Sequence, residues 1–191
     1  MAVPESAAPE SAAPESIAAG SVVPRATTSE APEFASREEW LASLHRVYAA
    51  AGCLITDPEG RVLIVKAGYR DAWQFVGGTV DLGENPRQCA SRELHEETGL
   101  HREAGELLVV AWTNPAGELD HPACHFLFDL GTFPADTPIV LPAGELDDHR
   151  WATVPEALAL LGPARALRLE AGLAARADGR TRVVTAPNSG F

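Results

Sequence analysis

The stretch GTVDLGENPRQCASRELHEETGL, from Gly78 to Leu100, decides how the rest of the chain is read. Asn85 suits a helix N-cap. Pro86 suits the first helical position, where neither its missing N–H nor its fixed φ costs anything. Gly99 supplies a left-handed C-terminal stop. The spacing predicts a helix of about three and a half turns between them, at about 3.6 residues per turn. Each residue steps by about 100°, so Glu93, Glu96 and Glu97 share an arc with Cys89, Ala90 and Leu94. Arg87, Gln88, Ser91 and His95 fall on the far side and are expected to be solvated. Three acids on the inward half of a helix is an unfavourable arrangement. Glu93 and Glu97 repel one another at i,i+4, and no Lys or Arg follows in the next turn to relieve them. A half-buried carboxylate cluster is tolerated when it is paired or binds a cation. Hard oxygen donors converging on one spot suit Mg²⁺ or Mn²⁺, ions that keep several waters and bridge to substrate phosphates.

The full pattern is Gly-x5-Glu-x7-Arg-Glu-Leu-x-Glu-Glu-x-Gly-Leu, nine fixed positions in 23 residues. It resembles the Nudix box at every defining position: Gly78, Glu84, Arg92, Glu93, Leu94, Glu96, Glu97, Gly99 and Leu100. The resemblance extends over about residues 45 to 165. It implies an α/β protein of the Nudix fold, an α/β/α sandwich around a mixed β-sheet. The activity it implies is metal-dependent hydrolysis of a nucleoside diphosphate-linked or nucleoside triphosphate substrate at a pyrophosphate bond. By the same resemblance Mg²⁺ or Mn²⁺ is held by Glu93, Glu96 and Glu97, with the carbonyl of Gly77 as a further ligand. Glu96 or Glu145 is the base, Glu145 by its place in a loop several residues before Trp151. Arg92 holds Glu84 or a box glutamate and fixes the loop–helix geometry. Gly78, Glu84 and Gly99 are structural. One departure stands out: family members commonly carry proline before the paired glycines, and this chain has Val76. Two alternatives share the fold, a nucleotide-sensing module without catalysis and a non-nucleotide diphosphate hydrolase or isomerase. A sensor usually loses box glutamates, and none is lost here. An isomerase needs a catalytic Cys and further His ligands, and Cys53 has no matching context.

The chain has 191 residues, 46% of them hydrophobic, enough for one domain with a core. Fifteen basic against 27 acidic residues give a net charge of −12, which argues against a partner that is a nucleic-acid polymer. A small phosphorylated substrate remains compatible, because a bound divalent cation inverts the local field. Cys53, Cys89 and Cys124 lie among apolar residues without metal-type spacing. They read as core residues in a reducing, cytoplasmic setting. No stretch reaches the ~20 apolar residues of a membrane span, and no secretory leader is recognisable. A homodimer is compatible with the family.

Residues 1–33 open with PESAA-PESAA-PESIA, a proline-punctuated acidic segment expected to be disordered. The domain is expected over 34–176. It starts with a helix capped by Ser36 and Glu39 that packs through Trp40, Leu41, Leu44, Val47 and Tyr48. A hairpin follows, with strands 49–56 and 61–66 about the turn Asp57–Gly60. Further strands are expected at 73–75, 106–112, 124–130 and leading to Trp151, with helices from Thr153 and Pro163. His121 and His125 read as ordinary polar positions, since i,i+4 spacing has no meaning across a loop and strand. Tyr69, Arg70, Trp73 and His125 are the candidate substrate contacts, with Trp112 and Phe126 as further aromatics. Arg165, Arg168 and Arg176 read as surface charges. Residues 177–191 are expected to form a loose tail.

Overall fold

The computed structural model describes residues 35–69, 71–115 and 120–186. The repeat-bearing segment 1–33 and Arg70 lie outside the described residues. Helix α1 (Arg37–Ser43) begins where Ser36 Oγ accepts the N–H of Glu39, and it carries no buried residue. The helix stops before Leu44, Val47 and Tyr48, so of the expected stripe it carries Trp40 and Leu41. At seven residues it is too short to hold by itself the stripe read from the sequence.

The first two strands, β1 (Tyr48–Thr56) and β2 (Val62–Ala67), meet at their turn. Asp57 closes it by accepting the backbone N–H of Arg61 at 2.8 Å and the Arg61 guanidinium at 2.5 Å. The strands then diverge: their antiparallel register is the single pair Thr56–Val62, not the full hairpin that the sequence suggests. Two short strands occupy the gap. β3 (Trp73–Gln74) pairs with β2 at Val65 and Lys66, and β4 (Gly77–Thr79) pairs with β1 at Ala50–Gly52. This wedge opens the sheet at the place where the box begins.

Helix α2 (Pro86–Thr98) leads to β5 (Leu107–Thr113) and β6 (Ala123–Thr132). β6 lies parallel to β1 and antiparallel to β5, while β7 (Leu146–Ala152) runs along the free side of β2. Helices α3 (Val154–Leu160) and α4 (Gly162–Asp178) and strand β8 (Arg182–Ala186) complete the described chain. β8 lies parallel to β5, so part of the segment expected as a loose tail adds an edge strand to the sheet. Its alternating burial, with Ala186 inward and Val183 outward, is what an edge strand over one covered face requires.

The sheet is mixed and covered on both faces. On one face Ala51, Cys53 and Ile55 pack with Cys89, Ala90 and Leu94 of α2. On the other, Leu54, Leu127 and Val109 pack with Leu169 and Ala175 of α4. Gly172 lets α4 lie on the sheet, since a Cβ there would stand 2.8 Å from Leu127 Cδ2. Arg176 then crosses the layer boundary. It pairs with Asp129 of β6 at 2.7 and 2.9 Å and donates to Leu54 O and Thr56 Oγ1. That corrects its reading as a surface charge. Among the described residues no helix is long and apolar enough to cross a membrane.

Replacing Arg176 with Met keeps the aliphatic stem but strands the Asp129 carboxylate and the Leu54 carbonyl. Stability is expected to fall by about 1–3 kcal/mol, read as a lower urea midpoint at unchanged slope.

Candidate active site

The box helix is set at both ends by its own sequence. Asn85 Oδ1 accepts the N–H groups of Arg87 and Gln88, and Gln88 returns the favour through the N–H of Asn85 at 3.0 Å. Gly99 ends it at φ 73°, donating to His95 O at 2.8 Å. Arg87 and Ser91, expected only to face solvent, tie α2 to the chain before β5. Arg87 donates to Ala104 O at 2.5 Å and to Gly105 O, and Ser91 Oγ accepts the N–H of Ala104 at 2.9 Å.

One guanidinium organises the acids. Arg92 donates to both oxygens of Glu84, at 3.1 and 2.7 Å, in the bidentate fork anticipated for it. Its remaining nitrogen reaches Glu93 and Glu96, each at 2.8 Å, and Thr79 O accepts a further bond at 3.2 Å. Arg92 brings Glu84 down to about 2, so that acid stays ionised as a structural strut. Glu97 is turned elsewhere: its Oε2 accepts the N–H of Gly77 at 2.7 Å. Burial, with the charges of Glu93, Glu145 and Glu96 adding to it, nevertheless pushes Glu97 up to about 8. Burial likewise raises Glu93.

The two glycines are required for different reasons. Gly77 sits at φ +145°, and a Cβ there would run into the backbone of Ala51 and Gly52 on β1. A Cβ on Gly78 would collide with the Glu93 carboxylate. Val76, where the resemblance expects proline, is fully buried, and its carbonyl accepts the N–H of Cys53 at 2.9 Å. Glu145 lies in the exposed loop before β7, close enough to raise Glu97, and its carbonyl accepts the N–H of Gly68 at 2.8 Å.

The donor set fits a hard divalent cation: two buried or half-buried carboxylates with raised pKa values, a third acid beside them and a loop backbone pressed against one of them. Among the described residues no three His, Cys, Asp or Glu side chains converge as a ready cluster. Glu93 and Glu96 each point an oxygen at Arg92, and Glu97 points one at Gly77. Each of Glu93 and Glu96 gives one oxygen to Arg92, and the second oxygen of each makes no bond to it.

A cleft of about 160 Å³ opens on the other face of β4, with Gly77, Gly78 and Thr79 in its wall. Tyr69 and His125 line it, as does Phe126. Trp73 is not brought there; it packs in the core layer under α3 and α4, with Arg150 over its ring at 5.1 Å. Trp112 lies on β5, bonded through Nε1 to Asn114. Burial and the nearby Arg168 and Arg165 push His125 down to about 3, so its imidazole is neutral at ordinary pH. Arg165 and Arg168 also line the cleft, against their reading as surface charges. Their signal was in the sequence: Arg165, Arg168, Gly172 and Arg176 recur at i, i+3, i+7 and i+11, one helical face.

The family model of the NUDIX domain matches residues 47–171. An RNA pyrophosphohydrolase of Cellvibrio japonicus is 33% identical, over 53% of this chain and 69% of that one. A second, from Psychrobacter cryohalolentis, is 42% identical, but the chain spans only 36% of its length. Among solved structures, a UDP-X diphosphatase superposes with a TM-score of 0.62 at 19% identity, covering 77% of this chain and 74% of that one. The MutT protein of Methanosarcina mazei does so at 0.57 and 21% identity, covering 71% and 98%. These two show the fold. The chain belongs to the Nudix family. Within it, this chain is a hydrolase that acts on pyrophosphate bonds.

A Glu97 pKa raised from 4.5 to about 8 makes the metal-free protein lose stability as pH rises through that window. Glu97→Gln, which can still accept from Gly77, is expected to abolish that loss. In EDTA its melting temperature should exceed wild type by several degrees at pH 8 and match it near pH 4.5, as read by differential scanning calorimetry.

Proposed function

We propose that this hydrolase acts on a small nucleoside diphosphate-linked or nucleoside triphosphate substrate and that Glu93, Glu96 and Glu97 hold Mg²⁺ or Mn²⁺, with the Gly77 carbonyl as a further ligand. The observation that carries the reading is the packing of these acids about Arg92 and Gly77, two of them with raised pKa values. When bound, a divalent cation supplies neutralisation of the diphosphate and of charge building on the leaving phosphate. The chain's own groups do the rest. Glu96 or Glu145, both exposed beside Glu97, takes or orients the proton of the attacking water. Arg92 is a positioning residue that keeps Glu84 against the helix and sets the box loop. Tyr69 and His125 contact the part of the substrate that reaches over β4.

The complete box speaks against a sensing module. Cys53 is fully buried under α2 and donates to Ala90 O at 3.3 Å, away from the cleft, which speaks against an isomerase. A second reading, an RNA end carrying a pyrophosphate linkage, is favoured by the names of the relatives and opposed by the net charge of −12. The three free thiols suit a reducing cytoplasm.

Phosphate release would be followed on nucleoside triphosphates, nucleotide diphosphate derivatives and a 5′-triphosphorylated RNA, each with Mg²⁺ or Mn²⁺. Turnover is expected to need the metal, to favour the small substrates, and to fall by roughly 10²–10⁴ in Glu96→Gln or Glu145→Gln, whichever removes the base. Arg92→Lys, keeping the charge without the fork, should lower kcat more than it raises KM. Faster turnover of the RNA than of every nucleotide would sink the small-substrate reading.

A further inference from the structure

Three arginines face the sheet from α4, and they are not treated alike. Arg176 is matched by the Asp129 carboxylate and by two further acceptors. Arg168 is partly buried at the cleft, and among the described residues it forms no ion pair. Its hydrogen bond runs back to Ala164 O of its own helix at 3.4 Å, with its guanidinium over the Phe75 ring at 5.9 Å. Burial, with Arg165 adding to it, pulls Arg168 down to about 9, still a cation at neutral pH. Two guanidiniums one helical turn apart repel, and the imidazole of His125 opposite them is neutral. In a protein carrying −12, cationic groups are gathered in one recess beside the box. A desolvated cation of this kind is stabilised by an anion with paired oxygens, and phosphate matches the planar fork.

The position of the recess says which phosphate. β4 is its wall: Gly78 presses on Glu93 from one side of that strand, and Gly77, Gly78 and Thr79 line the cleft on the other. At about 160 Å³ it is well below the roughly 300–1,000 Å³ of a pocket that encloses a whole ligand. It takes one group. We propose that the cleft of Arg165 and Arg168 receives a phosphoryl group of the substrate lying outside the scissile pyrophosphate, so that the enzyme prefers chains of three phosphates over two. This rests on the hydrolase reading above for the placement of the scissile bond. Arg168 is the principal contact, because a guanidinium without a matched carboxylate penalises any ligand that leaves it so. Arg165 supports it.

The test uses the full-length protein and inorganic tripolyphosphate and pyrophosphate as probes, titrated by calorimetry with and without Mg²⁺. Kinetics on one nucleoside's triphosphate and diphosphate run alongside. Wild type is expected to bind tripolyphosphate more tightly than pyrophosphate. Arg168→Ala should lose about 10- to 100-fold on tripolyphosphate with little change on pyrophosphate, and the triphosphate-to-diphosphate ratio of kcat/KM should fall to match. Arg165→Ala should move in the same direction by less, and Arg168→Lys should recover part of the loss. Melting temperatures without ligand control for folding, and Arg168→Lys carries the test if the alanine variant fails to fold. Equal loss on both probes, or none, overturns the proposal. So does a change in preference among bases at constant phosphate number, which would make the cleft a base pocket. The two readings fail separately. An unchanged ratio in the arginine variants with turnover still lost in Glu96→Gln or Glu145→Gln discards the cleft assignment alone. Tripolyphosphate binding that depends on Arg168, in a protein that turns over no nucleotide, supports the cleft and discards the nucleotide-substrate reading.

Discussion

Carboxylates of like charge crowded onto one half-buried helix face must be held by something. In the described structure that something is the guanidinium of Arg92. It closes on Glu84 with a fork and reaches Glu93 and Glu96 with its remaining nitrogen, while Glu97 is left to the N–H of Gly77. A point charge such as an ammonium could not span these partners at once, because the reach depends on a planar group with donors in several directions. Arg92 thereby ties the loop 79–85 and the backbone of β4, through Thr79 O, to α2.

The second constraint is steric. β1 and β2 separate after a single pair, and the wedge of β3 and β4 fills the opening. That brings backbone, not side chains, against the acids. Gly77 and Gly78 each occupy a place where a Cβ would strike something, one the neighbouring strand and the other a carboxylate. Acids that would ordinarily reach for water are thereby kept out of it, which is why burial heads the causes that raise Glu93 and Glu97. The cost of that desolvation is what a cation, as proposed, would relieve.

Charge elsewhere is distributed to suit. A surplus of acid over the whole chain disfavours long anionic partners, whereas the sheet-facing arginines of α4 place positive charge in a recess next to the box. The last strand closes α4 onto the sheet through its parallel pairing with β5, so the residues after the helix help hold the arginines where they are.

Read alone, the sequence determined the parts whose physics is local. Asn85, Pro86 and Gly99 bound the helix by capping and by the φ each demands, and a 3.6-residue period put Glu93, Glu96 and Glu97 on one arc; the structure has both. The sequence offered Arg92 either Glu84 or a box glutamate as the partner of its fork, and the folded chain gives the fork to Glu84. The sheet and its mixed order also followed, through the resemblance those residues carry. Tertiary structure alone decided what depends on contacts distant in sequence. Helical spacing groups the arginines of α4 on one face with Gly172, but that this face meets the sheet is decided by Gly172 against Leu127 and Arg176 against Asp129. Trp73 pairs to Lys66 and packs half-buried against the core layer, a placement that no pattern beside its loop reports. The strand at Arg182–Ala186 was hidden for a related reason. A five-residue edge strand gains its hydrogen bonds from β5, and no pattern within five residues reports a partner some seventy positions upstream.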